Sequence, residues 1–340
     1  MFVTIREAEK LAKKKIRRGT YNWLISGAED GWTNEKNLID LKKIKLIPHI
    51  LKKNYNLNLN QKFLNLKLNF PLVVSPMGHQ TQFEKNGEYS TAQGAYQEDI
   101  LSFFSTQGRI SFDQIKKKIS NGNIIWQIFP FGNKSWIESE IKKAENFKSS
   151  AICFCFDAPV RSHRYIDRES RYDARKFGKR TYEISPDPSF ALKYDWDFIR
   201  WVKSKTSLPI IPKGLLNIDD INRCYKIGVG ALWISNHGGR MFNSGITPVD
   251  ILMQIQQMRG KTKIIVDGGV RKGTDIIKYL CLGANLVGIG RPVIYGLICN
   301  GSEGVSSILS ILKSELITAM YNGGFKSLED MKLERVIFTK

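Results

Sequence analysis

Acidic residues are scarce in this 340-residue chain: 32 Asp and Glu stand against 52 Lys and Arg, for a net charge of +20. Such an excess points to an anionic partner, whether nucleic acid, membrane surface or acidic small molecule. The first two lack their further signs. No nucleic-acid motif interleaves aromatics with the basic residues, so nucleic acid is not expected. No apolar run reaches the roughly 18 residues of a membrane span, and the start, MFVTIREAEKLAKKKIRR, reads as a charged amphipathic helix without a signal-peptide centre. A soluble, cytoplasmic protein is expected. Cysteine is sparse and odd in number, five residues, which argues against a disulfide framework. Cys153 and Cys155 lie two apart in an apolar run, so they share one strand face. No second Cys or His pair at ligand spacing accompanies them, so free buried thiols are expected and no metal site. Repeats, long linkers and low-complexity tails are also missing, and the 42% hydrophobic residues are spread evenly enough for a sizeable core.

An alternation of element types runs along the chain from residue 71. Short apolar runs occur at 71-PLVVS-75, 101-LSFF-104, 124-IIWQIF-129, 151-AICFCF-156, 208-LPIIPK-213, 231-ALWIS-235, 263-KIIV-266 and 286-LVGIG-290. Stretches with helical spacing lie between them, among them 135–147, 196–205, 218–227, 248–258 and 273–283. Eight strands alternating with helices predict an α/β protein built as a closed parallel (β/α)8 TIM barrel. An open doubly wound sheet shares the alternation, but its Gly-rich dinucleotide turn after the first strand is absent. The expected organisation is one domain over 1–340: N-terminal helices and lead-in to residue 70, the barrel over 71–325, and a long basic loop, 157–195, after the fourth strand. In the lead-in, Gly27 is expected to cap the second helix and Thr33 to cap the next.

Histidine is rarer still, four residues, and one of them sits in 230-GALWISNHGGRMFN-243 just past a predicted strand end. The carboxyl ends of barrel strands carry active-site loops on a rigid scaffold, so His237 is a candidate base as well as a candidate surface residue. Asp157 ends the fourth strand, where it either caps a loop or orients a base. Lys213 ends the fifth, as a paired buried cation or a charge aimed at a ligand. The turns Asp267-Gly268-Gly269 with Arg271 and Gly290-Arg291 follow the seventh and eighth strands, where this barrel commonly binds phosphate through backbone N–H groups and guanidinium. The loop holds Arg161, Arg164, Arg168, Arg171, Arg175, Lys176, Lys179 and Arg180, cations that cover an anionic site or face water.

In order, SGAEDGWT at 26–33, DAPV at 157–160 leading to Arg164, LPIIPKG at 208–214, SNHGGR at 235–240, DGGVRKGTD at 267–275 and GIGRPV at 288–293 resemble the FMN-dependent 2-hydroxy-acid oxidases and dehydrogenases, the group of glycolate oxidase, lactate oxidase and mandelate dehydrogenase. The resemblance runs from about residue 4 to residue 332. It implies that His237 is the base that takes a proton as two electrons pass to flavin, with Asp157 stabilising its charged form and Lys213 stabilising the reduced ring. It further implies that Arg164 and Arg240 clamp the substrate carboxylate, that Asp267, Gly268, Gly269, Arg271, Gly290 and Arg291 hold the ribityl and phosphate, and that Pro76, Met77, Gly78, Ser105, Gln127, Cys155 and Ser235 line the ring. A homotetramer, an L-2-hydroxy acid as small-molecule substrate, and oxygen, a quinone or a carrier as acceptor are further implications.

Two family tyrosines are replaced, by Trp23 and Phe129. In the family these phenols touch the substrate's carboxylate and its hydroxyl or keto oxygen, so their loss suggests a bulkier or more apolar 2-hydroxy acid than glycolate or lactate. Gln107 and Cys155 stand where the family commonly has an aromatic residue and a threonine. The alternatives are a barrel enzyme of changed, isomerase-like chemistry and a flavin-binding protein with a degenerate site.

Overall fold

The computed structural model describes residues 2–51, 56–120, 122–172 and 194–339. Eight parallel strands close into a barrel: β1 (Leu72–Val74), β2 (Leu101–Ser105), β3 (Ile124–Ile128), β4 (Ile152–Cys155), β5 (Ile210–Leu215), β6 (Leu232–Ile234), β7 (Ile264–Asp267) and β8 (Leu286–Ile289). They run around the ring in chain order, and β8 pairs with β1 to complete it. All eight coincide with the predicted apolar runs, shifted by one or two residues at their ends.

The two-residue side-chain period sorts each strand into an inner and an outer face. Val73, Phe103, Ile125, Cys153, Ile211, Trp233 and Ile265 fill the inside as one fully buried cluster. Their neighbours, such as Val74, Phe104, Trp126, Ile234 and Val266, pack outward on the helices. A hairpin of Gln61–Phe63 and Leu66–Leu68 inserts Phe63 and Leu68 into the inner cluster and closes the amino end of the barrel. It falls in the stretch expected only as lead-in.

Three helices precede the barrel: α1 (Ile5–Lys15), α2 (Arg18–Ile25) and α3 (Trp32–Lys43). Thr4 caps α1 by accepting from Glu7 N at 3.1 Å. The two expected caps are corrected. Ser26, not Gly27, is the C-cap of α2. Gly27 is needed for closeness instead: a Cβ there would lie 2.7 Å from Gly31 Cα and 3.0 Å from Asn34 Cβ. Thr33 lies inside α3, whose N-cap is Gly31. Lys213 is also two residues short of its expected place at the strand end, since β5 continues past it to Leu215 through a register shift between those two residues. The last helix, Arg291–Gly323, kinks at Asn300 and Gly301 and packs on α1. Ile44–Leu46 pairs antiparallel with Val336–Phe338 and ties the lead-in to the end of the chain.

Of the 157–195 loop, residues 157–172 are described and include a short helix, Tyr165–Glu169. Arg175, Lys176, Lys179 and Arg180 lie outside the described residues. Among the described residues, no helix is long and apolar enough to cross a membrane.

Candidate active site

At the carboxyl end of the barrel a cavity of about 640 Å³ opens between the strand ends and α2. Its size falls among small-molecule and cofactor sites. The ends of β1, β2, β3, β5, β7 and β8 supply side chains or backbone edges directly to its wall, the turn after β6 supplies His237 and Gly238, and the loop after β4 supplies Ala158 to Ser162 and Arg164.

A buried polar chain forms its floor. Lys213 Nζ donates to Ser235 Oγ at 2.7 Å, and Ser235 Oγ donates to Asp267 Oδ1 at 2.5 Å. Ser75 Oγ donates to Asp267 Oδ2 at 3.1 Å, and His237 N donates to Ser235 Oγ at 3.1 Å. Ser235 therefore uses its one proton and both lone pairs, which locks its rotamer. Burial opposes the charge on Lys213, but Asp267 and Asp157, at 3.7 and 3.9 Å, outweigh it and hold the ammonium protonated well above its ordinary range.

His237 stands over this floor in a left-handed conformation, φ +55°, at the first residue of a tight turn that ends at Gly239. The turn can lie against α3 only because residue 239 is glycine: a Cβ there would sit 2.3 Å from Asn34 N. Asn236 and Asn37 exchange side-chain hydrogen bonds at 2.8 and 3.0 Å and fix the same turn from α3. The imidazole Nδ1 is 2.9 Å from Asp157 Oδ1. Burial disfavours the Asp157 carboxylate, yet the charges of His237 and Lys213 and the hydrogen bonds from His237 and Cys155 hold its carboxyl well below the usual range. An ionised Asp157 accepts only, so Nδ1 carries a proton, and in the neutral imidazole the lone pair is the one on Nε2. Cys155 Sγ donates to the same Asp157 oxygen at 2.9 Å, and burial pushes this thiol far above its ordinary range, so it is a hydrogen-bond donor rather than a nucleophile.

Five arginines line the cavity, and three of them, Arg240, Arg164 and Arg291, gather around Trp23 and the His237 turn. Arg240 Nη1 donates to the carbonyls of Trp23, Leu24 and Ser26 at 2.9–3.0 Å. Arg164, buried, pairs with Asp167 at 3.1 Å while its Nε has no partner. Both lie on the Trp23 ring, at 4.9 and 5.7 Å from its centroid, so the indole face meets both cations. Arg291 donates to Leu24 O, Ser26 O, Gly238 O and Asn34 Oδ1, which ties the His237 turn to the lead-in helices. Burial and the neighbouring Arg271 and Arg164 push Arg291 down to about 10, against Tyr295 and Glu9. Burial and the Arg164 and Arg291 charges likewise push Arg240 far down. Cations so crowded favour an anion among them.

Opposite them the wall is apolar: Phe129, stacked on Phe131 at 4.7 Å, with Ala158 and Met241. The edge of Phe129 faces His237 at 6.4 Å between centroids.

The expected residues converge. Trp23, Pro76, Met77, Gly78, Ser105, Gln127, Phe129, Arg164, Lys213, His237, Arg240, Asp267, Gly268, Gly269, Arg271, Gly290 and Arg291 all line the one cavity. Asp157, Cys155 and Ser235 stand behind that wall, where Asp157 bonds to His237 and Cys155 and Ser235 bonds to Lys213. Sequence reasoning missed Ser75, Asn37, Asn236, Phe131, Met241 and His79. Ser75 was within reach, because it ends its apolar run as Ser235 ends its own. Asn37 was not, since only the folded chain brings α3 to β6.

The cavity suits FMN on its own polar groups. The buried Gln127 carboxamide reaches only Cys153 Sγ, at 3.9 Å, and Gln107 Nε2 is buried without a partner, so two amides await acceptors. Gly268 and Gly269, with φ of +123° and +74°, turn the backbone beside Arg271, which leaves a guanidinium and main-chain edges for a phosphate.

The sequence pattern of the FMN-dependent dehydrogenases matches residues 12–337. An L-lactate oxidase of Nostoc sp. is 32% identical over 97% of this chain and 96% of its own. A 2-hydroxyacid oxidase 2 of Bos taurus is 29% identical over 99% of each. A soluble mutant of the membrane-associated (S)-mandelate dehydrogenase of Pseudomonas putida superposes with a TM-score of 0.94 at 23% identity, covering all of both chains, which bears on the fold alone.

Proposed function

The chain belongs to the FMN-dependent dehydrogenase family, and on that premise we propose that it oxidises a 2-hydroxy acid bulkier than glycolate or lactate to the 2-keto acid. The observation that carries this reading is the 2.9 Å pair between His237 Nδ1 and Asp157, set at the wall of the cavity beside a cationic Lys213.

Oxidation of the alcohol carbon removes two electrons and two hydrogens. Bound FMN would supply the acceptor for the two electrons and for the hydrogen that does not go to His237. His237 receives a proton at Nε2, and the imidazolium that results is stabilised by Asp157, already anionic before the substrate enters. Arg240 and Arg164 hold the substrate carboxylate, and Trp23 keeps the two guanidiniums in place by its ring. Gln127 and Gln107 give their amide hydrogens to FMN, Arg271 and the Gly268–Gly269 turn hold its phosphate, and Lys213 opposes negative charge beside the Asp267 chain. Phe129 removes one hydrogen bond to the substrate and, with Phe131 and Met241, offers an apolar wall instead. The size preference follows from that exchange.

The test is anaerobic mixing of the flavin-loaded protein with short, long, aromatic and acidic 2-hydroxy acids while the visible absorption is followed. Bleaching by larger acids and weak bleaching by glycolate and lactate is the expected result. Efficient reduction by glycolate or lactate overturns the size preference, and a yellow protein that none of them bleaches overturns the activity.

A further inference from the structure

Beside the main cavity lies a second, of about 430 Å³, and the two share Arg161, Ser162 and Arg164 in their walls. Apart from Asp167 and Tyr172, the rest of the smaller cavity is basic as well: His163, Arg168 and Arg171 line it. The short helix Tyr165–Glu169 is the cause. Arg164 is its N-cap residue and Arg168 lies one turn on, so both side chains fall on the same side of it.

The charges in this crevice are not balanced by its own residues. Asp167 is the carboxylate in its wall, and its Oδ2 is divided between Arg161 at 3.2 Å and Arg164 at 3.1 Å. Arg168 Nη1 lies 2.7 Å from His163 Nδ1, and since a guanidinium can only donate, the imidazole accepts and its neutral form leaves the cation uncompensated. Arg164 Nε, on a side chain only 8% exposed, is buried with no partner, as is Asp167 Oδ1, which its geometry keeps from that N–H. A buried, unpaired guanidinium N–H between two connected cavities is costly unless a ligand accepts from it.

We propose that the second cavity is a subsite for a distal carboxylate, so that the substrate is a 2-hydroxy dicarboxylic acid. This rests on the oxidase reading above. The carboxylate next to the reacting carbon goes to Arg240 and Arg164, the methylenes cross the apolar wall of Phe129, Met241 and Val160, and the far carboxylate goes to Arg168 and Arg171. One helical turn separates Arg164 from Arg168, about 5–6 Å between their Cβ atoms. That spacing fits a diacid of roughly five to seven carbons. It also reconciles the apolar wall with the basic loop: a chain that is apolar in its middle and anionic at both ends uses each.

The experiment compares 2-hydroxyhexanedioate with 2-hydroxyhexanoate, which differ only in the far group, as reductants of the flavin-loaded enzyme. The diacid is expected to show a kcat/KM about tenfold or more higher, the worth of one hydrogen bond to a charged group. Arg168→Gln and Arg171→Gln, both at exposed side chains, are each expected to raise KM for the diacid about tenfold, with its kcat and both constants for the monoacid unchanged. Calorimetric binding of 2-oxohexanedioate, which cannot be oxidised at the same carbon, should weaken in the same variants. Equal kcat/KM for the two acids, or variants that shift both substrates alike, would overturn the subsite and leave only long-range steering by charge. If neither acid bleaches the flavin the oxidase reading fails, and the calorimetric comparison still decides whether the crevice holds the diacid.

Discussion

The two ends of this barrel are built from the same eight strands by opposite rules. At the amino end, Phe63 and Leu68 of the hairpin meet Val73, Phe103 and Trp233 in a dry cluster with almost no exposure. At the carboxyl end, two residues further along the same strands, the inward positions are Ser75, Ser105, Gln127, Cys155, Lys213 and Ser235. A strand cannot change its period, so what changes is the residue type at each inward step. The floor stabilises by burying apolar area, whereas the mouth concentrates charges that tolerate burial only through their partners. Stability is therefore expected to reside at one end and chemistry at the other, and substitutions at the two ends should separate accordingly.

The largest effect is expected at the mouth. His237→Ala removes the base, and the rate of flavin reduction by substrate should fall roughly 10²–10⁴-fold. FMN should stay bound, since the described phosphate and ring contacts come from other residues. Stopped-flow absorption under anaerobic conditions measures the first, and retention of colour through gel filtration the second. A variant that reduces at the parent rate removes His237 from the chemistry.

Phe63→Ala is the matching change at the floor. A fully buried phenylalanine at the centre of the inner cluster should cost about 3–5 kcal/mol on truncation, read by urea or thermal unfolding. The rate of flavin reduction in the protein that remains folded should not change. Loss of activity in proportion to loss of stability would show that the two ends are coupled.

A smaller gain tests the wall between them. Phe129→Tyr restores a phenol facing His237, and a hydrogen bond to the substrate there is worth roughly 1.5–3 kcal/mol if it meets a charged group. Turnover of lactate should rise about tenfold or more, with little change for larger acids. No gain for lactate would mean that Trp23, rather than Phe129, sets the size preference.

The smallest effect concerns acid stability. The Asp157 carboxyl is held below its unfolded value of about 3.9, so its contribution is complete above that pH and is lost as pH falls through the lowered folded value. Asp157→Asn should therefore flatten the decline of Tm between about pH 4 and pH 2, while Phe63→Ala should lower Tm by a similar amount at every pH. An unchanged acid slope in Asp157→Asn would remove the charge pair as its cause.

Much of this was legible beforehand, and for a definite reason. The eight runs such as 124-IIWQIF-129 and 286-LVGIG-290 are short because buried parallel strands are short, and their polar last residues mark the rim of the barrel. His237, Asp157 and Lys213 were candidates because each follows or closes such a run. The errors lay where local signals have several readings. Gly27 looked like a helix cap, but what requires a glycine there is contact with Gly31 and Asn34. The hairpin at 61–68 was passed over because two strands of three residues carry too little alternation to register.

The sequence by itself determined the barrel, its cofactor family and the set of side chains that could do chemistry, because period, strand-end polarity and motif order are properties of the chain. Only the tertiary structure decided how those side chains are charged and paired. Asp157 and His237 are 80 residues apart, yet one hydrogen bond fixes the tautomer of the base. Arg240 and Arg164 come to one indole ring, and Asn37 of α3 reaches across to Asn236 beside β6. Such pairings depend on distances of a few ångströms between strand ends and helices that meet only when the ring closes, and hydrogen bonds and buried charges act only at that range.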